Sequence, residues 1–337
     1  MTPASNATVA ATTDWPRLHG TAFNGARALV TGGAGFIGSH LAQALLVLGA
    51  DVVLFDDLST GRRENLRHIA GAQLINASIL DADALAGAMR GARYVFHQAA
   101  AVSVSRSVEE PLLFHDVNGR GTLNVLEAAR ASGVQRVMFA ASSSAYGDSE
   151  VLPKVETMQS LPKSPYAATK LYGEGLMRAY SRSYGLDTAS LRYFNIFGPR
   201  QTPDSAYAAA IAAFAKAMIG GRRPTIYGDG EQSRDFTFVH NAVHANLLAA
   251  RREQPIRGQV FNVGCGERVS LNVLVRLMAE LLERSDLTPT YGPERAGDVK
   301  HSLADISRAR EVLAYEPIVD FREGLAATTA WYRGALA

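Results

Sequence analysis

Two hydrophobic periods take turns along the first two thirds of the chain. Short, mostly apolar runs lie at residues 27–30, 51–56, 72–75, 94–97, 137–140 and 188–191. Their length and density predict strands buried on both faces. Between them, residues 41–49, 111–132 and 166–184 carry apolar positions at helical spacing, and 62–69 reads as a short helix. Asp81 and Asp83 put acids into the first turn of another helix, where the helix dipole favours them. Regular strand–helix alternation predicts right-handed βαβ units and a doubly wound parallel sheet, an α/β architecture. Past residue 192 the pattern breaks into shorter pieces rich in Gly and Pro, with helical stretches at 207–219 and 270–282. This predicts three parts: an N-terminal arm over 1–24, a sheet domain over 25–191, and over 192–337 a smaller α/β lobe from which some segments return to the first domain. The arm is Ala/Thr-rich and reads as flexible, with a short helix near Trp15-Pro16-Arg17-Leu18.

The turn after the first strand carries the first chemical signal. Thr31-Gly32-Gly33-Ala34-Gly35-Phe36-Ile37-Gly38 joins a strand to a helix, the place where backbone N–H groups and a helix N-terminus can meet a pyrophosphate. Gly33, Gly35 and Gly38 fit one dinucleotide spacing; Gly32, Gly35 and Gly38 fit a looser one, which the rest of the pattern favours. The second strand ends at Asp56, 18 positions after Gly38, where an acid can bond a ribose hydroxyl and repel a 2′-phosphate. Asp56, the small residues Ala99-Ala100-Ala101 and the Ser142-Ser143-Ser144 run all follow strand ends. One crevice beyond the sheet can collect them.

Composition narrows the partners. The chain has 337 residues, 47% hydrophobic and 20% charged, with net charge +2. It shows no long basic run, so nucleic acid is not expected. A single cysteine, Cys265, excludes an intrachain disulfide and fits the cytoplasm. Eight histidines without metal-ligand spacing predict no metal site. No apolar run reaches the roughly 18 residues that span a bilayer, so no membrane partner is expected.

Tyr166-Ala167-Ala168-Thr169-Lys170 opens the helix after Pro165. Positions i and i+4 share a helix face, so Tyr166 and Lys170 point the same way. A tyrosine, with a reference pKa of about 10, acts as a base near neutrality only when its anion is stabilised. A neighbouring ammonium does this, and a serine hydroxyl from the fifth strand end can share the proton with a substrate.

Taken together, these motifs resemble the extended short-chain dehydrogenases/reductases, and within them the UDP-sugar 4-epimerase group. Further matching segments are Asp56-Asp57-Leu58-Ser59-Thr60-Gly61, His97-Gln98-Ala99-Ala100, Ser142-Ser143-Ser144-Ala145-Tyr146-Gly147, Leu191-Arg192-Tyr193-Phe194-Asn195, Gly228-Asp229-Gly230, Arg234-Asp235-Phe236 and Gly297-Asp298-Val299. The resemblance runs from about residue 25 to the C-terminus and is greatest to epimerases of N-acetylated sugars or their uronic acids. It implies a Rossmann domain holding NAD through Gly32, Gly35, Phe36, Ile37, Gly38, Asp56, Asp57, Ser59, Thr60, Gly61, Ser78, Ile79, Gln98, Ala99, Ala100, Tyr166, Lys170 and Tyr193. Ser78 stands where the family has an Asp for the adenine. The resemblance makes Tyr166 the base, Lys170 its electrostatic partner and ribose ligand, and Ser142 the hydroxyl helper, with Ser144 as second choice. It places the UDP-sugar against Val102, Ser103, Ser142, Ser143, Tyr166, Asn195, Ala209, Tyr227, Arg234, Arg295, Asp298 and Ser302. Arg234 and Arg295 suit the phosphates.

The implied reaction is reversible epimerisation at C4 of UDP-N-acetylglucosamine through a 4-keto sugar, with NAD returning the hydride it receives. Related dehydratases carry an Asp-Glu pair where this chain has Ser143 and Ser144, which disfavours dehydration. Cys265 has no obvious base, which disfavours a four-electron oxidation. Ser302 stands where the family has either a small residue or a tyrosine, and a small one leaves room for an N-acetyl group. The alternatives are a UDP-glucose, UDP-glucuronate or N-acetylated uronate 4-epimerase, a UDP-glucuronate decarboxylase, and a non-catalytic NAD-binding scaffold. The resemblance also implies a homodimer packed through the 111–132 and 166–184 helices.

Overall fold

The computed structural model describes residues 13–67, 69–203, 210–294 and 300–336. Seven parallel strands form the central sheet: β1 (Arg27–Thr31), β2 (Asp51–Phe55), β3 (Gln73–Ile75), β4 (Tyr94–His97), β5 (Arg136–Ser142), β6 (Asp187–Tyr193) and β7 (Gln259–Val263). Their spatial order is β7-β6-β5-β4-β1-β2-β3. The chain runs outward in one direction from β1 and in the other from β4, so a crevice opens beyond the carboxyl ends of β1 and β4. Register brings the chemistry level there. Thr31 pairs with Phe55 and with His97, and Ser142 pairs with Tyr193. The first six strands lie where the apolar runs predict them. β7 does not: it comes from the second half of the chain and pairs with β6.

Helices cover both faces. On one side lie α1 (Trp15–His19), α2 (Phe36–Val47), a helix at Val239–Arg251 and one at Ser307–Leu313. On the other lie α3 (Ala82–Ala88), α6 (Gly121–Ala131) and α7 (Pro165–Tyr184). The 111–132 stretch is not one α-helix. It comprises α5 (Pro111–Phe114), a π-helical stretch His115–Arg120, and then α6. The widened turn carries Asn118, whose amide grips both backbone groups of Ala101, accepting from N at 2.8 Å and donating to O at 3.0 Å. Just before it, α4 (Val104–Glu109) was not foreseen. The short helix expected over 62–69 is a single 3-10 turn, Arg63–Leu66. In the second half, α8 (Ala210–Ile219), α9 (the Val239–Arg251 helix), α10 (Leu271–Leu281), α11 (the Ser307–Leu313 helix) and α12 (Phe321–Leu336) complete the molecule. Of these, α8, α10 and α12 build a separate apolar core.

The expectation of a flexible arm is corrected for its described part. Residues 13–25 pack on the sheet domain, with Trp15, His19 and Phe23 buried. Asp14 caps α1 by accepting from the Arg17 N–H at 3.0 Å. His19 meets His244 at 3.0 Å between ring nitrogens, and Thr13 meets His240 at 2.7 Å. His40 of α2 faces His240, with ring centroids 5.4 Å apart. Apolar burial of Trp15 in α1 and of Phe23 in the turn after it outweighs the polar composition of the stretch.

Candidate active site

The glycine turn is close-packed. Gly32 has φ +67°, and a Cβ there would stand 2.7 Å from the Ala99 nitrogen. A Cβ at Gly38 would stand 2.1 Å from the Gly32 carbonyl oxygen, and one at Gly35 3.1 Å from it. Those three glycines let the start of α2 close on the end of β1. Gly33 instead makes room for Leu54 of β2. Asp56 ends β2 with both carboxylate oxygens engaged, Oδ2 accepting from Ala34 N (2.9 Å) and Oδ1 from Leu58 N (2.8 Å). Burial raises its carboxyl, and the two backbone bonds oppose the rise. Gly61 packs directly on that carboxylate. Asp57 accepts from the Ser59 N–H at 2.9 Å, and Ser78 from the Leu80 N–H at 3.3 Å.

These residues open onto a cleft of about 520 Å³ beyond the strand ends. Of the expected cofactor residues, Gly32, Gly35, Phe36, Ile37, Gly38, Asp56, Asp57, Ser59, Thr60, Ser78, Ile79, Gln98, Ala99, Ala100, Tyr166, Lys170 and Tyr193 line it. Val102 also lines it. Its wall further includes Ala101, which the sequence reading places at that crevice, and Leu80, Arg106, Leu113 and Val117, which sequence reasoning missed. A signal for Leu113 and Val117 is Val117-Asn118-Gly119, where a glycine interrupts the helical pattern at the π turn. A cradle with no room for a Cβ, an acid at the second strand end and a cleft running on to Tyr166 together fit a dinucleotide.

The helix start places the reactive pair. Ser164 caps α7 by accepting from the Ala167 N–H at 3.2 Å, and Pro165 occupies the first turn. Tyr166 therefore stands at the cleft end of the helix, edge-on to Phe114 with centroids 6.3 Å apart. Burial raises its phenol, and a hydrogen bond with Ser142 opposes the rise. Ser142 in turn accepts from the Ser144 hydroxyl at 2.8 Å. Lys170 is 3% exposed. Its ammonium donates to the Ala140 oxygen at 2.8 Å and lies 5.1 Å from the Phe139 ring centre. Burial lowers it to about 7. His97, buried between Thr31 (2.8 Å) and Thr122 (3.0 Å), is pushed down to about 3 by burial and then by Lys170. It is therefore a neutral ring. Tyr193 donates to Gln98 at 3.1 Å and accepts from Asn246 at 2.7 Å.

The expected substrate residues are only partly gathered. Ser142, Ser143 and Ser144 form the turn next to Tyr166 and lie outside the cleft lining. Ser103, at φ +136°, caps α4 through the Arg106 N–H. Asn195, at φ +37°, spends its amide on the Asp235 carbonyl at 3.2 Å. Arg234 donates to the Ser233 and Lys300 carbonyls, and the Ser302 N–H reaches Ser233 O at 3.0 Å, so Arg234 and Ser302 adjoin. Tyr227 is 39% exposed on a short strand, Thr225–Tyr227. Ala209, Arg295 and Asp298 lie outside the described residues. Cys265 is held in a turn whose N–H bonds Asp235, and burial pushes its thiol up to about 12. Among the described residues no group of three or more His, Cys, Asp or Glu is placed to hold a metal, and no helix is long and apolar enough to cross a membrane.

Comparison with known proteins adds to this geometry. The model of the NAD dependent epimerase/dehydratase family matches residues 28–264. A UDP-glucose 4-epimerase of Mycolicibacterium smegmatis is 41% identical, over 91% of this chain and 98% of that protein. The structure of a UDP-N-acetylglucosamine 4-epimerase from Methanobrevibacter ruminantium, in complex with UDP-N-acetylmuramic acid, is 41% identical. It superposes with a TM-score of 0.88, covering 93% of this chain and 99% of that one. A UDP-glucuronic acid 4-epimerase from Bacillus cereus, solved with UDP-glucuronic acid and NAD, is 32% identical. It has a TM-score of 0.84 and covers 92% and 99% of the two chains.

Proposed function

The chain belongs to the NAD dependent epimerase/dehydratase family and is an NAD-dependent UDP-sugar 4-epimerase, and from that premise we propose that it interconverts UDP-N-acetylglucosamine and UDP-N-acetylgalactosamine. The observation that carries the choice of sugar is Ser302. It is a short, half-buried side chain next to the Ser233-Arg234 strand, at the position where the resemblance reads a small residue as room for a C2 substituent. The 41% identity to a structure named as a UDP-N-acetylglucosamine 4-epimerase supports the same reading.

The chemistry that bound NAD would supply is reversible hydride acceptance at the sugar C4. The chain's own residues handle the proton. Tyr166 removes it from the sugar 4-hydroxyl at its phenol oxygen, with the Ser142 hydroxyl bridging the two, and later returns it. The ammonium of Lys170, one helical turn on, favours the phenolate. The Gly32, Gly35 and Gly38 turn would hold the cofactor's diphosphate and Asp56 its ribose. Arg234 would hold the substrate's phosphates and Tyr227 would pack on its uracil. The working form is a cytoplasmic homodimer packed through the α5–α6 and α7 helices, whose Leu112, Tyr172 and Tyr184 are exposed in a single chain.

Purified protein is offered a panel of UDP-sugars and the 4-epimers are resolved by NMR. Turnover of the N-acetylated pair is expected, and turnover of UDP-glucose or a UDP-uronate alone overturns the assignment. Ser302→Tyr is expected to suppress the N-acetylated substrates while sparing UDP-glucose. Unchanged N-acetyl turnover in that variant removes Ser302 as the gate.

A further inference from the structure

Tyr166, Lys170 and Glu174 follow one another at intervals of four along α7 and share its sheet-facing side. The third of them takes no part in proton transfer, yet it is 2% exposed. Its partner is Arg192 of β6, 3% exposed, which grips it with two parallel bonds of 2.8 and 2.7 Å. A third bond runs from Arg192 to the Ser160 hydroxyl at 3.2 Å. The guanidinium carbon lies 4.5 Å from the centre of the Tyr146 ring. Tyr146 closes the 3-10 turn Ser143–Tyr146 that follows Ser142, and its hydroxyl donates to Asn262 of β7 at 2.6 Å. In the sheet, Arg192 pairs with Ala141, the residue before Ser142.

We propose that Glu174, Arg192 and Tyr146 form a positioning clamp that sets the distance between the Tyr166 helix and the Ser142 turn. The inference rests on the proposed roles of Tyr166 and Ser142. A planar guanidinium suits the task because its edge fits a carboxylate while its face packs on a ring. The clamp ties α7 to the serine turn through one rigid group, and β6 anchors that group in the sheet. Stability alone does not call for such a pair. A buried ion pair replaced by apolar residues of similar volume often leaves a protein as stable as before, or more so. Catalysis does need the spacing, because a reacting group displaced by about 1 Å can cost on the order of a hundredfold in rate.

That contrast provides the test, made on the full chain carrying its NAD. In the double variant Glu174→Leu with Arg192→Met, the thermal midpoint is expected to stay at or above that of the parent. KM for the UDP-sugar should stay within twofold, while kcat falls at least tenfold. A C4-deuterated substrate should show a larger isotope effect than with the parent. A folded double variant with parental kcat overturns the clamp. If the double variant does not fold, Tyr146 decides: Tyr146→Phe keeps the stacked ring and should keep kcat, and Tyr146→Leu should lose it. Equal kcat in those two overturns the proposal. Tyr166→Phe is measured alongside. If that variant turns over, the catalytic assignment itself fails. If it is inactive and the clamp variants are unaffected, only the clamp fails.

Discussion

Lys170 is the residue at which stability and chemistry pull apart. Its ammonium is buried with the Ala140 carbonyl and the Phe139 ring, and burial brings it down to about 7. The unfolded chain binds that proton up to about 10.4. The cost of burying the charge is therefore complete below about pH 7 and fades as pH rises through the window to about 10.4. The Lys170→Met protein is expected to lose turnover while its thermal midpoint, without nucleotide at pH 7, rises. At pH 10 the gain should shrink. Differential scanning fluorimetry at the two pH values measures both, and a lower midpoint at pH 7 contradicts the reading. Asp56 shows the same tension on a smaller scale, since burial works against its charge and the two backbone N–H groups oppose that rise without cancelling it.

At the scale of elements, α7 is held to the sheet by what it lacks. Gly173 faces Phe139 of β5, and a Cβ there would stand 2.4 Å from the ring. Alanine is the better helix former by about 1 kcal/mol, yet overpacking of this kind costs roughly 1–3 kcal/mol. Gly173→Ala is expected to be destabilising and to slow turnover by lifting Tyr166 and Lys170. Gly87→Ala in α3, where a Cβ meets only the end of Arg90 at 3.9 Å, should gain about 0.5–1 kcal/mol. Urea melts of the two variants test the sign of each. The same element shows what could be read in advance. Ser164 and Pro165 announce the start of α7, so Tyr166 and Lys170 were legible together. The strands β1, β2, β4 and β5 were legible because burial on both faces leaves them largely apolar. β7 was not, because Gln259-Val260-Phe261-Asn262-Val263 carries a buried Asn that bonds Tyr146 and the Lys154 carbonyl. Only the folded chain supplies those partners. Arg106 escaped notice for a related reason. Its place on the cleft wall depends on α4, six residues capped by Ser103 and packed against α5 and α7.

Across the molecule, the histidines link the N-terminal segment to pH. His19 is held near 3, His240 and His244 near 4, and His40 well below its usual value, in each case chiefly by burial. Arg200 and Arg251 add like-charge repulsion. Lowered values mean that the unfolded chain binds protons the fold refuses. Their contribution is whole above about pH 6.5 and drains away as pH falls toward 4. One such ring accounts for ~2 kcal/mol at pH 5. Urea melts should show a steep loss of stability between pH 6.5 and 5, and replacing His19 and His244 together with Asn should flatten it. An unchanged slope in that variant removes the pair as its source. The sheet also imposes an order in time. β6 lies at an edge until β7 arrives, and residues 194–258 must be made in between. At roughly 5–20 residues per second this leaves β6 without its neighbour for several seconds on the ribosome. During that interval the growing chain exposes a row of unpaired backbone groups along β6, the template on which nascent chains pair with one another. The half that carries the glycine turn, the serine turn and the Tyr166 helix is thus finished by a strand translated long after it, and a ribosome stalled within residues 194–258 would leave an aggregation-prone fragment that holds those three features and lacks Ser302.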